Sequence, residues 1–212
     1  MNVADRLARV RERVVAAGGD LEAITIVAVT KGHEASTVEA VVAAGLLDLG
    51  ESYAQELVAK AEAVAPGPRW HFVGGLQRNK VRQVAAFVHL WQSVDRLSLA
   101  GEIARQSPGA AVLVQVNVSG AEHQGGCAPE RVAAVVEGCG DLGLDVRGLM
   151  AIGPQAPEPE VRAAFASVRA LADGLGLPEC SMGMSGDLEA AVAEGSTMLR
   201  IGTDLVGPRR RA

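Results

Sequence analysis

A lysine stands at the end of an apolar run near the start of the chain. The segment ITIVAVTKGH, residues 24–33, is rich in small and β-branched apolar residues and places Lys31 where a buried strand should end. Partial desolvation lowers the pKa of an amine and makes it a better nucleophile toward a carbonyl. Taken alone, Lys31 could also be an ordinary strand end whose ammonium group points into water.

Two small, donor-rich segments near the C-terminus change that balance. Ser185 and Gly186 stand just before the helical pattern DLEAAVAEG, and Gly202 and Thr203 follow the apolar run TMLRIG. Free backbone N–H groups at the start of a helix, with a hydroxyl beside them, bind phosphate and other anions. A lysine opposite two such turns predicts a phosphorylated aldehyde as the ligand. Pyridoxal 5'-phosphate (PLP) is the obvious one, with Lys31 forming the imine and the turns holding the phosphate.

An arginine lies in the second of these turns. Arg200 ends the apolar run, and its guanidinium could pair with a carboxylate, lie at a solvated rim, or face the pyridine nitrogen of the ligand. In the last case an always-charged group would keep that nitrogen unprotonated and weaken the ring as an electron sink. Strong carbanion chemistry favours an acid at this place, so Arg200 predicts a modest catalyst or none.

The pattern of the whole chain predicts how these segments meet. Apolar runs of strand length alternate with stretches of helical period, which predicts an α/β fold with a single (β/α)8 TIM barrel over residues 1–212. The carboxyl ends of its strands would form one functional face. An open, doubly wound sheet is the alternative. A helix over about residues 2–17 precedes the barrel, and a disordered basic tail over about residues 208–212 follows it. The strand-like runs are ITIVAV, LLDLG, WHFVG, VHLWQSV, AVLVQVNV, DVRGLMAI, CSMGM and TMLRIG.

Composition excludes several classes of function. The 212 residues carry a formal net charge of −5, whereas a nucleic-acid-binding domain usually presents a basic face. No window is apolar enough to span a membrane, and the N-terminus is typical of an amphipathic helix rather than a signal peptide. The histidines show no metal-ligand spacing, so we predict no metal site. The cysteines form no CxxC pair and predict reduced thiols in a cytoplasmic protein; they are Cys127, Cys139 and Cys180.

Several longer motifs resemble one known family. The segments VAVTKGH, LGESYAQEL, WHFVGGLQRNK, VNVSG, RGLMAIGP and SMGMSGDLEAAVAEGSTMLRIGTDLVG are similar to those of the pyridoxal phosphate homeostasis proteins, the YggS/PROSC family. The resemblance extends from about Ile24 to Gly207. It implies a barrel like that of alanine racemase without that enzyme's second domain. It also implies a protein that binds, buffers and delivers PLP, possible apo-enzyme recipients, and no dedicated catalytic residues.

The resemblance also assigns roles to residues of this chain. Lys31 matches the Schiff-base lysine and Arg200 the arginine beside the pyridine nitrogen. Ser185, Gly202 and Thr203 match the family's phosphate binders. The predicted cofactor-binding set also includes Ser52, Met184 and Asn79, the last because it follows the third strand-like run. Ser52 departs from the family pattern, in which an asparagine follows GE, so one contact to the cofactor changes. Gln124 stands where the family usually has a lysine, and any role of that lysine does not carry over.

Three interpretations of function remain open at this stage. A PLP carrier is the first, a weak amino-acid racemase is the second, and a regulatory scaffold is the third. A racemase needs a second base opposite the lysine; Tyr53 is the only tyrosine, and packing at a helix start explains it better than acid–base work. Asn79 could border the ligand or cap a helix, and His71 is expected to be a hydrogen-bonded histidine of the core. Nothing in the sequence requires more than a monomer.

Overall fold

The computed structural model describes residues 2–121 and 124–208, and its centre is a closed parallel barrel. The eight strands pair in chain order, and β1 also pairs with β8, which closes the sheet. The predicted TIM barrel is therefore confirmed, and the open-sheet alternative is wrong. The strands are β1 Thr25–Val29, β2 Asp48–Glu51, β3 Arg69–Phe72, β4 Val88–Val94, β5 Ala111–Val116, β6 Asp145–Ala151, β7 Glu179–Ser181 and β8 Met198–Ile201.

Helices surround the barrel and connect successive strands. They are α1 Val3–Ala16, α2 Ala35–Ala43, α3 Ala54–Ala63, α4 Val81–Val84, α5 Leu97–Gln106, α6 Val132–Asp141, α7 Glu158–Gly174, α8 Leu188–Ala193 and α9 Thr203–Val206, with short 3-10 turns at Arg78–Lys80 and Pro129–Arg131. Helix α1 lies where the sequence predicted the N-terminal helix. Apart from Pro208, the predicted basic tail lies outside the described residues. Within the described ranges, no helix is both long enough and apolar enough to cross a bilayer.

Two apolar layers hold the barrel together. The larger lies between the strands and the surrounding helices, and α1 joins it through Leu7, Val10 and Val14, which lie on one face of that helix. The smaller lies inside the barrel and consists of inward-facing strand residues. Its buried members are Val27, Leu90, Ala111, Leu113, Met150 and Met198. Burial on both faces explains why the strands are continuous apolar runs.

Polar side chains also enter the barrel interior, which the apolar character of the runs did not predict. His71 is buried, with its Nε2 atom 3.0 Å from Asp48 Oδ1 and its Nδ1 atom 2.7 Å from Gln92 Nε2. The prediction that His71 is a hydrogen-bonded core histidine is confirmed. At the amino-terminal end of the barrel, Arg69 donates to both carboxylate oxygens of Asp48, with 2.7 Å between Nε and Oδ1.

This arrangement perturbs the carboxyl group of Asp48. Burial alone would raise its pKa, but the hydrogen bonds from His71 and Arg69 outweigh burial and hold the pKa well below its usual range. A carboxyl group whose pKa is lower in the folded state than in the unfolded chain stabilises the fold above the unfolded pKa, about pH 4. That stability is lost as the pH falls further.

We therefore expect Asp48→Asn to lower the free energy of unfolding at pH 7 by about 1–3 kcal/mol, because the charge-assisted hydrogen bonds are lost. The variant should also lose stability less steeply than the wild type between about pH 5 and pH 2. Urea denaturation at a series of pH values measures both effects. Asp145→Asn is the control, since the ion pair of Asp145 with Arg147 is exposed. If the stability of Asp48→Asn fell with decreasing pH as steeply as that of the wild type, this explanation would be wrong.

Candidate functional site

A cavity of about 240 Å3 opens among the carboxyl ends of the strands. This is the face on which barrel enzymes carry their sites. Seven of the eight cofactor-binding residues predicted from the sequence line this cavity: Lys31, Ser52, Met184, Ser185, Arg200, Gly202 and Thr203. A larger cavity, about 420 Å3, lies between α1 and α9 and shares only Thr203 with the lining of the first.

Lys31 is presented by a tight turn that follows β1. The N–H of His33 donates to the carbonyl of Thr30 over 3.1 Å, which closes a four-residue turn with Lys31 at its second position. Gly32 occupies the third position with φ 74°, a conformation that favours glycine. Because the turn is this short, the lysine backbone is fixed at the barrel mouth, where its side chain lines the cavity with Val29.

The chain contains three lysines, and their positions differ sharply. Lys31 lines the cavity, whereas Lys60 is 5% exposed and bonded to Glu51 in the layer between barrel and helices. Lys80 ends the 3-10 turn after β3 and is not among the residues lining the cavity. An aldehyde bound in this cavity would therefore meet the amine of Lys31 and no other lysine.

The two C-terminal turns lie side by side, as the sequence predicted. The N–H of Asp204 donates to Ser185 Oγ over 3.3 Å, and Arg13 from α1 donates to the carbonyl of Ser185 over 3.0 Å. The N–H groups of Ser185, Gly186 and Thr203 have no acceptor among the described residues. These three residues line the cavity, so their N–H groups are the natural donors for an anion there.

Arg200 forms the inner wall of the same cavity and is 4% exposed. It donates to the carbonyl and the hydroxyl of Ser181, each over 2.7 Å, and to the carbonyl of Ala151 over 2.8 Å. These bonds use three of the five N–H groups that a guanidinium offers. Burial lowers the pKa of Arg200 to about 10, so the side chain remains a cation at neutral pH.

A chain of hydrogen bonds inside the barrel holds the guanidinium group of Arg200 in place. Ser181 Oγ donates to Gln92 Oε1 over 2.7 Å, and the amide nitrogen of Gln92 donates to Nδ1 of His71. With Nδ1 as an acceptor, the Nε2 atom of His71 donates to Asp48. The barrel interior thus carries a directed polar chain from the guanidinium of Arg200 to the carboxylate of Asp48. The roles of Gln92 and Ser181 were not predictable from the sequence, because their contact depends on which strand faces lie inward.

Ser52 reaches the cavity from the end of β2, and a close packing contact sets its position. A Cβ atom added at Gly74 would come within 2.3 Å of the carbonyl oxygen of Ser52, so the chain after β3 can approach Ser52 only with glycine there. Ser93 Oγ donates to the carbonyl of Gly74 over 2.6 Å and secures that approach. At Gly75, where the family often has a histidine or proline, an added Cβ atom would meet nothing within 4 Å beyond the neighbouring residues of the chain.

Three other residues considered from the sequence, Asn79, Tyr53 and Gln124, do not line the cavity. Asn79 is exposed in the 3-10 turn after β3 and neither lines the cavity nor caps a helix with its side chain. Tyr53 is 56% exposed at the start of α3. Gln124 donates to the carbonyl of Ile152, which lines the cavity, over 3.1 Å. Val73 and Ile152 also line the cavity and were not predicted from the sequence, although their places directly after β3 and β6 could have indicated them.

Comparisons with known proteins find relatives that match nearly the whole chain. Residues 2–210 match the family model for the N-terminal domain of alanine racemase. The chain is 45% identical to a pyridoxal phosphate homeostasis protein of Pseudomonas aeruginosa, over 98% of this chain and 94% of that protein. It is 40% identical to the protein of the same name from Deinococcus radiodurans, over 97% and 99%. The structure of PipY from Synechococcus elongatus with PLP bound has a TM-score of 0.86 and 33% identity, covering 97% of this chain and all (100%) of that chain.

Proposed function

The chain belongs to the family of pyridoxal phosphate homeostasis proteins, with the barrel of the alanine racemase N-terminal domain, and we propose that it holds PLP on Lys31 and buffers or delivers it. One observation carries the proposal. The cavity at the strand ends combines the amine of Lys31 with two anion-binding turns and a buried arginine. PLP offers an aldehyde, a phosphate and a ring nitrogen, one group for each of these features.

The residues present fit this cofactor in size and chemistry. The cavity has a volume of about 240 Å3, below the range of about 300–1,000 Å3 that is usual for pockets binding drug-sized ligands. It therefore suits a compound with a single ring. The aldehyde of PLP supplies a carbonyl that condenses with a lysine amine, releasing water and leaving a C=N bond, the Schiff base. Val29, Val73 and Ile152 give the cavity an apolar wall on which the ring can pack. Ser52 offers a hydroxyl in place of the family's asparagine.

We assign the protein groups that bind the phosphate and the ring nitrogen by their charge. The N–H groups of Ser185, Gly186 and Thr203, with the backbone of Gly202, are placed to bind the phosphate, and Met184 lies beside them. Arg200 is a buried cation with donors to spare, and it faces the ring nitrogen in this proposal. A cation there disfavours protonation of the nitrogen, so the ring withdraws electrons weakly. The same contact that retains the cofactor therefore limits its chemistry.

The absence of a second base supports a carrier rather than a racemase. Among the described residues, no carboxylate, histidine, cysteine or tyrosine lines the cavity, and Arg200 stays charged. Racemisation requires one group to remove the Cα proton and another to return it from the opposite face. Lys31 can supply only one of these two groups, and Tyr53, which is exposed, does not line the cavity. A weak racemase remains the alternative function.

The remaining parts of the proposal concern the protein's setting. We place it in the cytoplasm, where thiols stay reduced, because Cys127, Cys139 and Cys180 are all free and buried. Apo-forms of PLP-dependent enzymes are the proposed recipients of the cofactor. In this proposal the protein acts as a monomer.

The first test is the absorption spectrum of the purified protein after incubation with PLP. An imine with Lys31 gives the wild type a visible band that sodium borohydride bleaches, and Lys31→Ala should lose the band entirely because no other lysine reaches the cavity. Lys80→Ala is the matched control and should keep it. A colourless wild type, or a Lys31→Ala variant that keeps the band, would refute the proposal.

The second test separates a carrier from a racemase. The PLP-loaded protein is mixed with L-alanine in heavy water, and exchange of the Cα hydrogen is followed by NMR. We expect exchange no faster than with the same concentration of free PLP, because the cavity lacks a second base and Arg200 weakens the ring as an electron sink. Exchange well above the free-PLP rate that also yields D-alanine would establish the racemase instead.

A further inference from the structure

A buried charged cluster lies behind the Lys31 turn, on the side away from the cavity. Its members are Glu51, Glu56 and Lys60, which we call the Glu51–Lys60 cluster. Lys60 reaches from α3 and donates to Glu51 Oε1 over 2.6 Å and to Glu56 Oε2 over 3.1 Å. Glu51 is fully buried and Lys60 is 5% exposed. The cluster therefore lies in the layer between the barrel and α3, and no member lines the cofactor cavity.

The cluster binds the chain on both sides of Lys31. Lys60 Nζ donates to the carbonyl of Thr30 over 2.7 Å, and the Thr30 hydroxyl donates to Glu51 Oε1 over 2.6 Å. On the other side, the N–H of Gly32 donates to Glu56 Oε2 over 2.7 Å. All three protons of the Lys60 ammonium are used in these contacts and those within the cluster. The residues before and after Lys31 are thus held by one charged group of side chains.

Stability alone is a poor explanation for such a cluster. Two charges in a buried layer lose their hydration, and a well-packed apolar pair of similar size often stabilises a protein as well or better. Burial raises the pKa of the Glu51 carboxyl, while the hydrogen bonds from Lys60 and Thr30 oppose the rise. Moreover, Glu51 Oε2 is buried and has no hydrogen-bond partner in the described part of the chain. What the charged groups provide, and apolar ones cannot, is a set of directed bonds to the Lys31 turn.

We propose that Lys60, with Glu51 and Glu56, is a positioning residue that holds the Lys31 turn so that the amine meets the aldehyde of the cofactor. The cluster also bears on the neighbouring wall of the cavity, because Glu51, the last residue of β2, immediately precedes Ser52, and β2 pairs with β1. This role rests on the proposed function of Lys31 as the amine that binds PLP. It assigns to α3 a part in cofactor binding although that helix does not reach the cavity.

The test separates positioning from folding by removing the whole ion pair. In the double variant Glu51→Leu with Lys60→Met, no fully buried charge is left unpaired, so the variant should fold, with a moderate loss of stability from the buried hydroxyl and carbonyl of Thr30. The bonds to Thr30 are lost, however, and the turn is no longer fixed. Small misplacements of a reacting group reduce its effectiveness strongly, and we expect the fraction of bound PLP present as a Schiff base to fall about tenfold.

Two measurements on the same sample give this fraction. Total bound PLP is determined after alkaline release, and the Schiff base is determined from the visible band and from covalent labelling after borohydride reduction. The anion-binding turns are untouched, so the double variant should still retain PLP without the covalent bond. A merely structural role would lower total binding and the Schiff base together. Thermal unfolding of each variant without PLP reports the stability separately.

Two further variants complete the design. Glu56→Ala removes the acceptor of the Gly32 N–H at a partly exposed position, so it should fold even if the double variant does not, and it should lower the Schiff-base fraction in the same direction. Arg169→Met is the matched control. Arg169 likewise reaches from a helix to a carboxylate, Asp173, and to the carbonyls of Leu177 and Pro178, but at the other end of the barrel. Its loss should leave the Schiff-base fraction unchanged.

The outcomes distinguish this proposal from the one on which it rests. A wild type that forms a Schiff base on Lys31, together with Glu56→Ala and double variants that form as much, would overturn the positioning role and leave the carrier function intact. A fall of the same size in Arg169→Met would overturn it too, since loss of stability would then explain the effect. A wild type without any Schiff base would remove the carrier proposal and the positioning role with it.

Discussion

The pairing of the first strand with the last is the constraint on which the rest of the site depends. In the parallel ladder between β1 and β8, Val27 lies opposite Arg200 and Ala28 opposite Ile201. Side chains opposite each other in a ladder point to the same face, so Arg200 enters the barrel beside Val27. Just beyond the ends of these two strands, at Val29 and Ile201, lie Lys31 on one side and the Gly202–Thr203 turn on the other. Closure of the barrel therefore creates the cavity.

Charge is distributed around this cavity in a way that favours holding a ligand over transforming it. The cations that line it are Lys31 and Arg200, and the latter is kept in place by a polar chain through Ser181 and Gln92. Acidic groups lie one layer away, where Glu51 and Glu56 bind the turn rather than the cavity. An anionic cofactor is attracted by such a lining. The same cationic lining disfavours a proton on the pyridine nitrogen, which powerful PLP enzymes use.

The sequence predicted the barrel and most of the lining because both depend on local patterns. Apolar runs locate strands, and a strand end in a barrel is a position on the functional face, which is why Lys31, Ser185 and Thr203 were found. The polar chain inside the barrel was not predictable, since contact between Gln92 and Ser181 depends on the register of strands distant in sequence. Asn79 was expected at the cavity because it follows the third strand, but it lies in the 3-10 turn after β3 and does not line the cavity.

The central claim is that Lys31 is the one lysine that binds the cofactor covalently, and the most direct measurement is the location of the covalent label. The complex with PLP is reduced with borohydride, digested and mapped by mass spectrometry. Because the chain has three lysines, each possible site lies in a different peptide. The account predicts one pyridoxyl group on the peptide containing Lys31, with the peptides of Lys60 and Lys80 unmodified. A label on Lys80, or a complex that binds PLP but yields no labelled peptide, would contradict it.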